Sequence, residues 1–425
     1  MLIIWKTVYN YIVVPILWFL LLIYMLFNKK ARKAFNGRKN LFINLEQKIR
    51  SFGDNKRIWF HSSSMGEFEQ AKPIIAHFKE NHPEIKIIVS FFSPSGYENN
   101  IKYKLADVIT YLPFDTKSKT KKFLDIIKPD LAIFMRYDVW PNLIWELSNR
   151  KIPSFLIDAT MANNSKRYLP LIKDFHHHIY SAFTEIMTVS DNDKTNFLKF
   201  NIKNVKITSV GDTRYDQVYI RSQLSKTKNV INREILKDKK VFIVGSSWKE
   251  DEEHIFPAFL KLLEYKNEIL MILVPHEPTE QTLELIEEEL NNQTSHIRFS
   301  YLQNYKNEKI IIIDCIGLLV TLYSYGHIAY VGGGFGSGVH NVLEPAIYGL
   351  PVLFGPRNNN SQEAQVLKKI GAGIEVTNKT EIYKILRKLF DDEELRLTKG
   401  KAASEHVLSN IGASKEIIKR LLIYL

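Results

Sequence analysis

From Lys56 to the C-terminus, short apolar runs alternate with longer stretches in which apolar residues recur every three or four positions. Runs of four to eight residues rich in Ile, Val and Phe and bounded by turn formers read as buried strands, and the longer periodic stretches as amphipathic helices. The pattern predicts strands at 57–61, 85–90, 108–111, 131–135, 153–157, 187–190 and 205–209, with helices over 67–81, 117–127 and 142–150. It lapses across 219–240, a polar stretch rich in Lys, Asn and Gln, and restarts with strands at 241–245, 269–274, 309–313, 328–331 and 351–354 and a helix near 250–265. The chain then closes in helices broken by Gly412. Strands alternating with helices imply a parallel sheet covered on both faces. The expected organisation is therefore α/β in two successive halves, 29–218 and 241–425, joined by a linker at 219–240, with the last helix free to return to the first half. Ligands in such folds bind beyond the carboxyl ends of the strands, so the strand-end loops should carry the chemistry, facing each other across a cleft.

The first 28 residues follow another pattern. No charge lies between Lys6 and Lys29, and Ile12 to Phe27 is almost wholly apolar. Roughly 20 such residues can cross a bilayer core. Lys29, Lys30, Arg32, Lys33, Arg38 and Lys39 follow, a bias that keeps the remaining chain on the cytoplasmic side. A cleaved signal peptide would carry its basic residues before the apolar run and a small-residue cleavage site after it, so 1–28 reads as an uncleaved membrane anchor. Pro15 leaves open a kinked or interfacial helix in place of a full span.

Charge and cysteine content narrow the partners. With 58 Lys and Arg against 46 Asp and Glu, the net charge is +12. Nucleic acid or an anionic membrane surface could explain it. The anchor beside its basic cluster favours the membrane, and the chain has no zinc-finger spacing or RNA-binding motif to support the other. The single cysteine, Cys315, excludes an internal disulfide.

Two loops stand out. Val331-Gly332-Gly333-Gly334-Phe335-Gly336-Ser337-Gly338 follows a strand and leads into Asn341 and Glu344, and Gly349 to Pro356 repeats a strand and turn further on. Glycine loops of this kind offer backbone amides to an anionic or sugar ligand. In the first half, His61-Ser62-Ser63-Ser64-Met65-Gly66-Glu67 follows a strand. Gly66 lets backbone approach a ligand, and a carboxylate at Glu67 could accept a proton from a hydroxyl nucleophile. The plainer reading is a helix start, with Ser64 as cap and Glu67 completing a capping box. Spacing alone favours the plainer reading.

The set His61 to Glu67, Trp140-Pro141-Asn142, Gly211-Asp212-Thr213-Arg214-Tyr215-Asp216, Pro275-His276-Glu277-Pro278 and His340-Asn341-Val342-Leu343-Glu344 resembles the Kdo (3-deoxy-D-manno-octulosonic acid) transferases, from the anchor nearly to the C-terminus. The resemblance implies an inverting glycosyltransferase of the GT-B architecture, two Rossmann-like domains facing across a cleft, anchored on the cytoplasmic face of the inner membrane. It implies transfer of Kdo from CMP-Kdo to a lipid A precursor, lipid IVA, without metal or other cofactor and without nucleic acid. By residue, it makes Glu67 the proton acceptor, with Ser64 and Gly66 in the acceptor loop. Pro275, His276, Ile316, Gly317, Leu318, Asn341, Val342, Leu343 and Glu344 become contacts to CMP. Arg214 stands where the family commonly has Lys and could stabilise the departing phosphate or the Kdo carboxylate. Arg136 stands where the family commonly has an acid and so inherits no role, although Asp138 lies nearby. Rival readings are a GT-B enzyme using another nucleotide sugar on a membrane lipid and an inactive membrane-tethered binding protein.

Other features read as structure. His176, His177 and His178 would point in different directions from a helix and so make a poor metal site. Trp140 and Trp145 read as packing residues, and Gly245 to Trp248 as either a phosphate cradle or a simple strand-to-helix turn.

Overall fold

The computed structural model describes residues 1–425 and divides by internal contacts into two units, 1–217 with 411–425, and 218–410. In the first unit β1 (Arg57–Ser62), β2 (Lys86–Phe91), β3 (Val108–Tyr111), β4 (Leu131–Met135), β5 (Ser154–Ala159), β6 (Glu185–Thr188) and β7 (Lys206–Ser209) form one sheet in the order β3-β2-β1-β4-β5-β6-β7. In the second, β8 (Lys240–Ser247), β9 (Ile269–Pro275), β10 (His296–Arg298), β11 (Ile310–Ile312), β12 (Ile328–Val331), β13 (Val352–Phe354) and β14 (Gly373–Glu375) are ordered β10-β11-β9-β8-β12-β13-β14. Neighbours such as β1 and β4, or β8 and β12, pair in parallel. Both faces of each sheet are covered by helices, so the central strands are apolar throughout: Ile58, Trp59 and Phe60 in β1 and Phe242, Ile243 and Val244 in β8 are fully buried.

The strand order fixes where chemistry can sit. In the first sheet the chain steps outward from β1 through β2 and β3, then returns to lay β4 on the other side of β1. The connections leaving β1 and β4 therefore splay apart and open a crevice at their carboxyl ends. The second sheet has the same switch between β8 and β12.

One stretch departs from its expected form. The segment expected as a linker is helical in its first part, within the helix Thr213–Ser225, and again over Arg233–Leu236, while Ile231 is buried in the second unit's core. Its polarity is that of a solvated helix face. The C-terminal helix Ala413–Leu421 belongs to the first unit: Ile417, Ile418 and Leu421 join the core over β1, and Asp216 accepts from the Gly412 and Ser414 amides at 2.9 and 3.0 Å.

The N-terminal residues Leu2–Phe27 form one continuous apolar helix, long enough to cross a membrane. A π-turn at Tyr9–Val13 precedes Pro15; such a turn absorbs the hydrogen bond that proline cannot donate. One face of this helix is docked on the first unit. Tyr9 donates to Asp115 at 2.9 Å, Asn10 and Asn142 exchange side-chain bonds of 2.9 Å, and Trp18 meets Phe114 edge-on at 5.0 Å. The other face, including Ile12, Ile16, Leu20 and Ile23, is exposed.

Candidate functional site

In the first unit the switch-point crevice gathers side chains from the ends of β1, β2 and β4. Ser64 caps the helix Met65–Asn81, accepting from the Glu67 amide, while Glu67 Oε2 accepts from the Ser63 and Ser64 amides at 2.6 and 3.1 Å. The capping box is thus real, and it does not exhaust Glu67: Oε1 has no protein partner. No atom lies within 4 Å of where a Gly66 side chain would project, so the backbone beside Glu67 is open to a ligand. Glu67 is only 6% exposed. Burial first, then the charge of Asp138, raises its carboxyl above the ordinary carboxylate range, against the opposing Ser64 and Ser63 amides and His61.

Asp138 and His61 complete the cluster. A chain of polar contacts links them to the core: Trp59 Nε1–H donates to Ser90 Oγ at 2.8 Å, Ser90 Oγ lies 2.8 Å from His61 Nδ1, and His61 Nε2 lies 2.7 Å from Asp138 Oδ2. Ser63 Oγ also donates to Asp138, and Trp140 Nε1 lies 3.1 Å from His61 Nε2. Burial alone would raise Asp138, but His61 and the bonds from His61, Ser63 and Trp140 hold it below its ordinary value. Asp138 therefore stays ionised beside a carboxyl that its charge makes more basic. Trp140, expected as packing, is part of this network; Trp145 is core, donating to the His178 carbonyl at 3.2 Å. The histidine triplet diverges: His176 and His177 each bond a backbone carbonyl, of Ile172 and Phe200.

A second cluster lies along the same helix. Arg214 grips Asp212 through Nε at 2.9 Å and Nη2 at 2.5 Å, and Gln70, one turn beyond Glu67, donates to Asp212 at 3.3 Å. Beneath them Asp158 is fully buried, accepting from the Thr213 amide and hydroxyl. Burial, then the Asp212 charge, pushes Asp158 up to about 7, while against burial Arg214 holds Asp212 below its ordinary range. Arg136, with φ of 59°, leaves the end of β4, and its charge reaches Asp212; its Nε is buried without a partner. The residue that inherits no role by resemblance thus sits electrostatically beside Arg214.

In the second unit the expected residues lie in the connections that follow β9, β11 and β12. Pro275 ends β9, and the His276 ring stacks over both Trp248 and His340, at 4.5 and 4.4 Å between centroids. Trp248 Nε1–H donates to His340 Nε2 at 2.9 Å, fixing the stack. The sequence offers Trp248 only as the end of a candidate turn and His340 only as the head of a family motif; their common address, the switch between β8 and β12, is what brings them together. Asn341 Oδ1 accepts from the Leu343 amide at 3.1 Å, and Glu344 is held by Arg221 at 2.9 Å. Ile316 is 88% exposed beside Gly317, whose φ is 94°, and Leu318 opens a short helix. The helix holding Leu343 and Glu344 has four residues, too few for a sizeable dipole at a phosphate.

The glycine loop corrects an expectation. Its amides are largely spent inside the chain: Gly333 and Phe335 donate to the buried Asp251 at 2.7 and 3.3 Å, Gly332 to the Gly245 carbonyl at 2.9 Å, and His340 to the Gly332 carbonyl at 3.1 Å. Glycine is required for another reason. A side chain on Gly332 would lie 2.1 Å from the Ser246 carbonyl oxygen, and one on Gly334 would lie 2.5 Å from the Gly355 nitrogen. The run lets the loops after β8, β12 and β13 touch backbone to backbone.

Comparison with known proteins places this architecture. Residues 35–217 match the profile of the 3-deoxy-D-manno-octulosonic-acid transferase (kdotransferase) family. A 3-deoxy-D-manno-octulosonic acid transferase of Aquifex aeolicus is 30% identical over 78% of this chain and 85% of its own length, and that of Chlamydophila psittaci 29% identical over 80% and 78%. A bifunctional glycosyltransferase/methyltransferase of Fusobacterium nucleatum is 27% identical over 88% of this chain, which spans 58% of that protein's length. Among solved structures, a UDP-GlcNAc 2-epimerase of Neisseria meningitidis superposes with a TM-score of 0.60 at 16% identity, over 86% of this chain and 99% of that one, a likeness of fold alone that agrees with a GT-B-like pair of α/β units. On its identity and coverage against these relatives, the chain belongs to the Kdo transferase family of glycosyltransferases.

Proposed function

We propose that the protein moves Kdo from CMP-Kdo to the glucosamine disaccharide of a lipid A precursor, lipid IVA, on the cytoplasmic face of the inner membrane, by a single displacement with inversion. The observation that carries this reading is Glu67: a buried carboxyl of raised pKa at the switch point of its sheet, with one oxygen held by two amides and the other free. In the proposed step the acceptor hydroxyl oxygen bonds to the anomeric carbon of Kdo as the bond to the CMP phosphate breaks. The hydroxyl proton passes to Glu67 Oε1, and CMP takes the electron pair of the broken bond. A base with a raised pKa holds that proton more firmly than an ordinary carboxylate, which suits it to the task. Arg214, fixed by Asp212, supplies the positive charge that offsets the departing phosphate or the Kdo carboxylate.

The second unit takes the donor. The Trp248, His276 and His340 rings offer aromatic faces of the kind on which bases stack, Glu344 can accept from ribose hydroxyls, and Gly317 and its neighbours present open backbone. The basic segment after the apolar helix fits an anionic cytoplasmic leaflet, and the helix keeps the enzyme beside a substrate that does not dissolve in water.

The test is direct. Purified full-length protein is incubated with CMP-Kdo or UDP-sugars and the acylated disaccharide acceptor, and product masses are read. Increments of one or more Kdo units support the proposal; transfer only from a UDP-sugar overturns the donor. Glu67→Gln should abolish transfer while leaving CMP binding nearly unchanged, and full activity in that variant removes Glu67 from the mechanism.

A further inference from the structure

A cavity of about 230 Å³ lies between the N-terminal helix and the first unit's strand-end loops. Val14, Leu17, Trp18 and Leu21 form one wall, and Phe92, Phe114 and Trp140 the other, with Asp115 and Tyr9 at one end. Its surface is almost entirely apolar, although it stands half open. Three observations bear on what fills it. The helical wall is the one element apolar enough to enter a membrane, and its outer face, Ile16, Leu20 and Ile23, is exposed on the side away from the cavity. The opposite wall reaches the candidate site: Trp140 stacks on Phe92 at 4.5 Å and lies beside His61 and Asp138, while the Ser93 amide, next to Phe92, donates to the Ser63 carbonyl at 3.0 Å. Cations flank the rings, with Lys119 5.0 Å over Trp18 and 5.4 Å over Phe114, and Arg38 4.9 Å from both Phe92 and Phe114.

We propose that this groove takes an acyl chain of the lipid acceptor, drawn out of the bilayer along the N-terminal helix, so that the sugar headgroup is delivered to Glu67. The inference rests on the lipid-acceptor reading above. A phosphorylated glycolipid fits both halves of the surface: its chain replaces water against apolar walls, and its phosphates meet Lys119 and the basic segment that follows the helix. The groove is a specificity element, since an acceptor without acyl chains gains nothing from it.

Leu17→Trp and Leu21→Trp fill the groove while leaving the helix apolar. With saturating CMP-Kdo, each should raise KM for the acylated disaccharide acceptor about 15- to 50-fold, the loss of contact to two or three methylenes, and leave kcat and the KM of the deacylated disaccharide unchanged. An equal effect on both acceptors, or on neither, overturns the proposal. Labelling decides the question without relying on activity or on folding of the variants. The wild-type chain, in vesicles of phosphatidylglycerol and phosphatidylethanolamine, is irradiated with an acceptor carrying a diazirine on one acyl chain. Adducts on Trp18, Phe114 or Trp140 support the groove, and adducts confined to Ile16, Leu20 and Ile23 overturn it. Should the wild type transfer Kdo to neither acceptor, the functional reading falls and the labelling pattern still tests the groove.

Discussion

Glu67 and Asp138 divide the work of two carboxylates by environment. Both are buried, but Asp138 is ringed by donors and Glu67 is not, so one is held ionised and the other is pushed toward its neutral form. Asp138→Asn removes the larger charge acting on Glu67; the opposing influence of His61 is weaker. The acidic limb of the pH profile of kcat/KM should therefore move to lower pH in this variant, and a shift to higher pH would contradict the assignment. Gly332 is a residue-scale test of the other unit. Alanine there would strike the Ser246 carbonyl oxygen, a backbone atom that cannot swing aside, so Gly332→Ala should cost about 2–3 kcal/mol in denaturant unfolding. Arg214→Ala should lower kcat about a hundredfold or more, the scale of losing one stabilising group at a developing charge.

At the scale of elements, Asp115 is the joint between the N-terminal helix and the loop that carries Trp140. Its carboxylate caps the helix Pro141–Asn149 through the Asn142 and Leu143 amides at 3.0 and 3.1 Å, and the same group accepts from Tyr9 at 2.9 Å. Tyr9→Phe deletes one of these bonds without emptying the space and should lower stability by about 1–2 kcal/mol. Burial pushes Asp115 up to about 6 from an ordinary 3.8. A folded-state pKa above the unfolded one means that the native chain binds the extra proton. The stability this contributes is complete below the unfolded value and is lost as pH rises through 6. Unfolding free energies measured from pH 4 to 7 should show the wild type losing ground to Asp115→Asn over that interval.

At the scale of the whole molecule, the N-terminal helix is long and apolar enough to cross a membrane and also packs one face against the first unit's core. Removing residues 1–27 would uncover Phe114, Trp145 and the Asp115 joint together with the groove wall. Such a truncation should lower the unfolding temperature by about 5 °C or more; a truncated chain as heat-stable as the full one would show that the docked face contributes nothing. By itself the sequence determined the elements: β3, β4 and β12 begin and end where their apolar runs do, because a strand buried on both faces must be apolar along its length. It also determined the membrane-competent helix and the family motifs, which rest on local composition and spacing. Tertiary structure decided which residues meet. The strand order put the ends of β1 and β4 side by side, and so joined His61 to Asp138 across 77 positions of chain, a pairing no local pattern encodes. It gave the glycine loop its purpose, since only the approach of β8 and β13 shows that the amides are spent on Asp251 and neighbouring backbone. It also turned the apolar helix into a groove wall. Periodicity records which residues avoid water; which surfaces they share is settled by the topology that brings distant segments together.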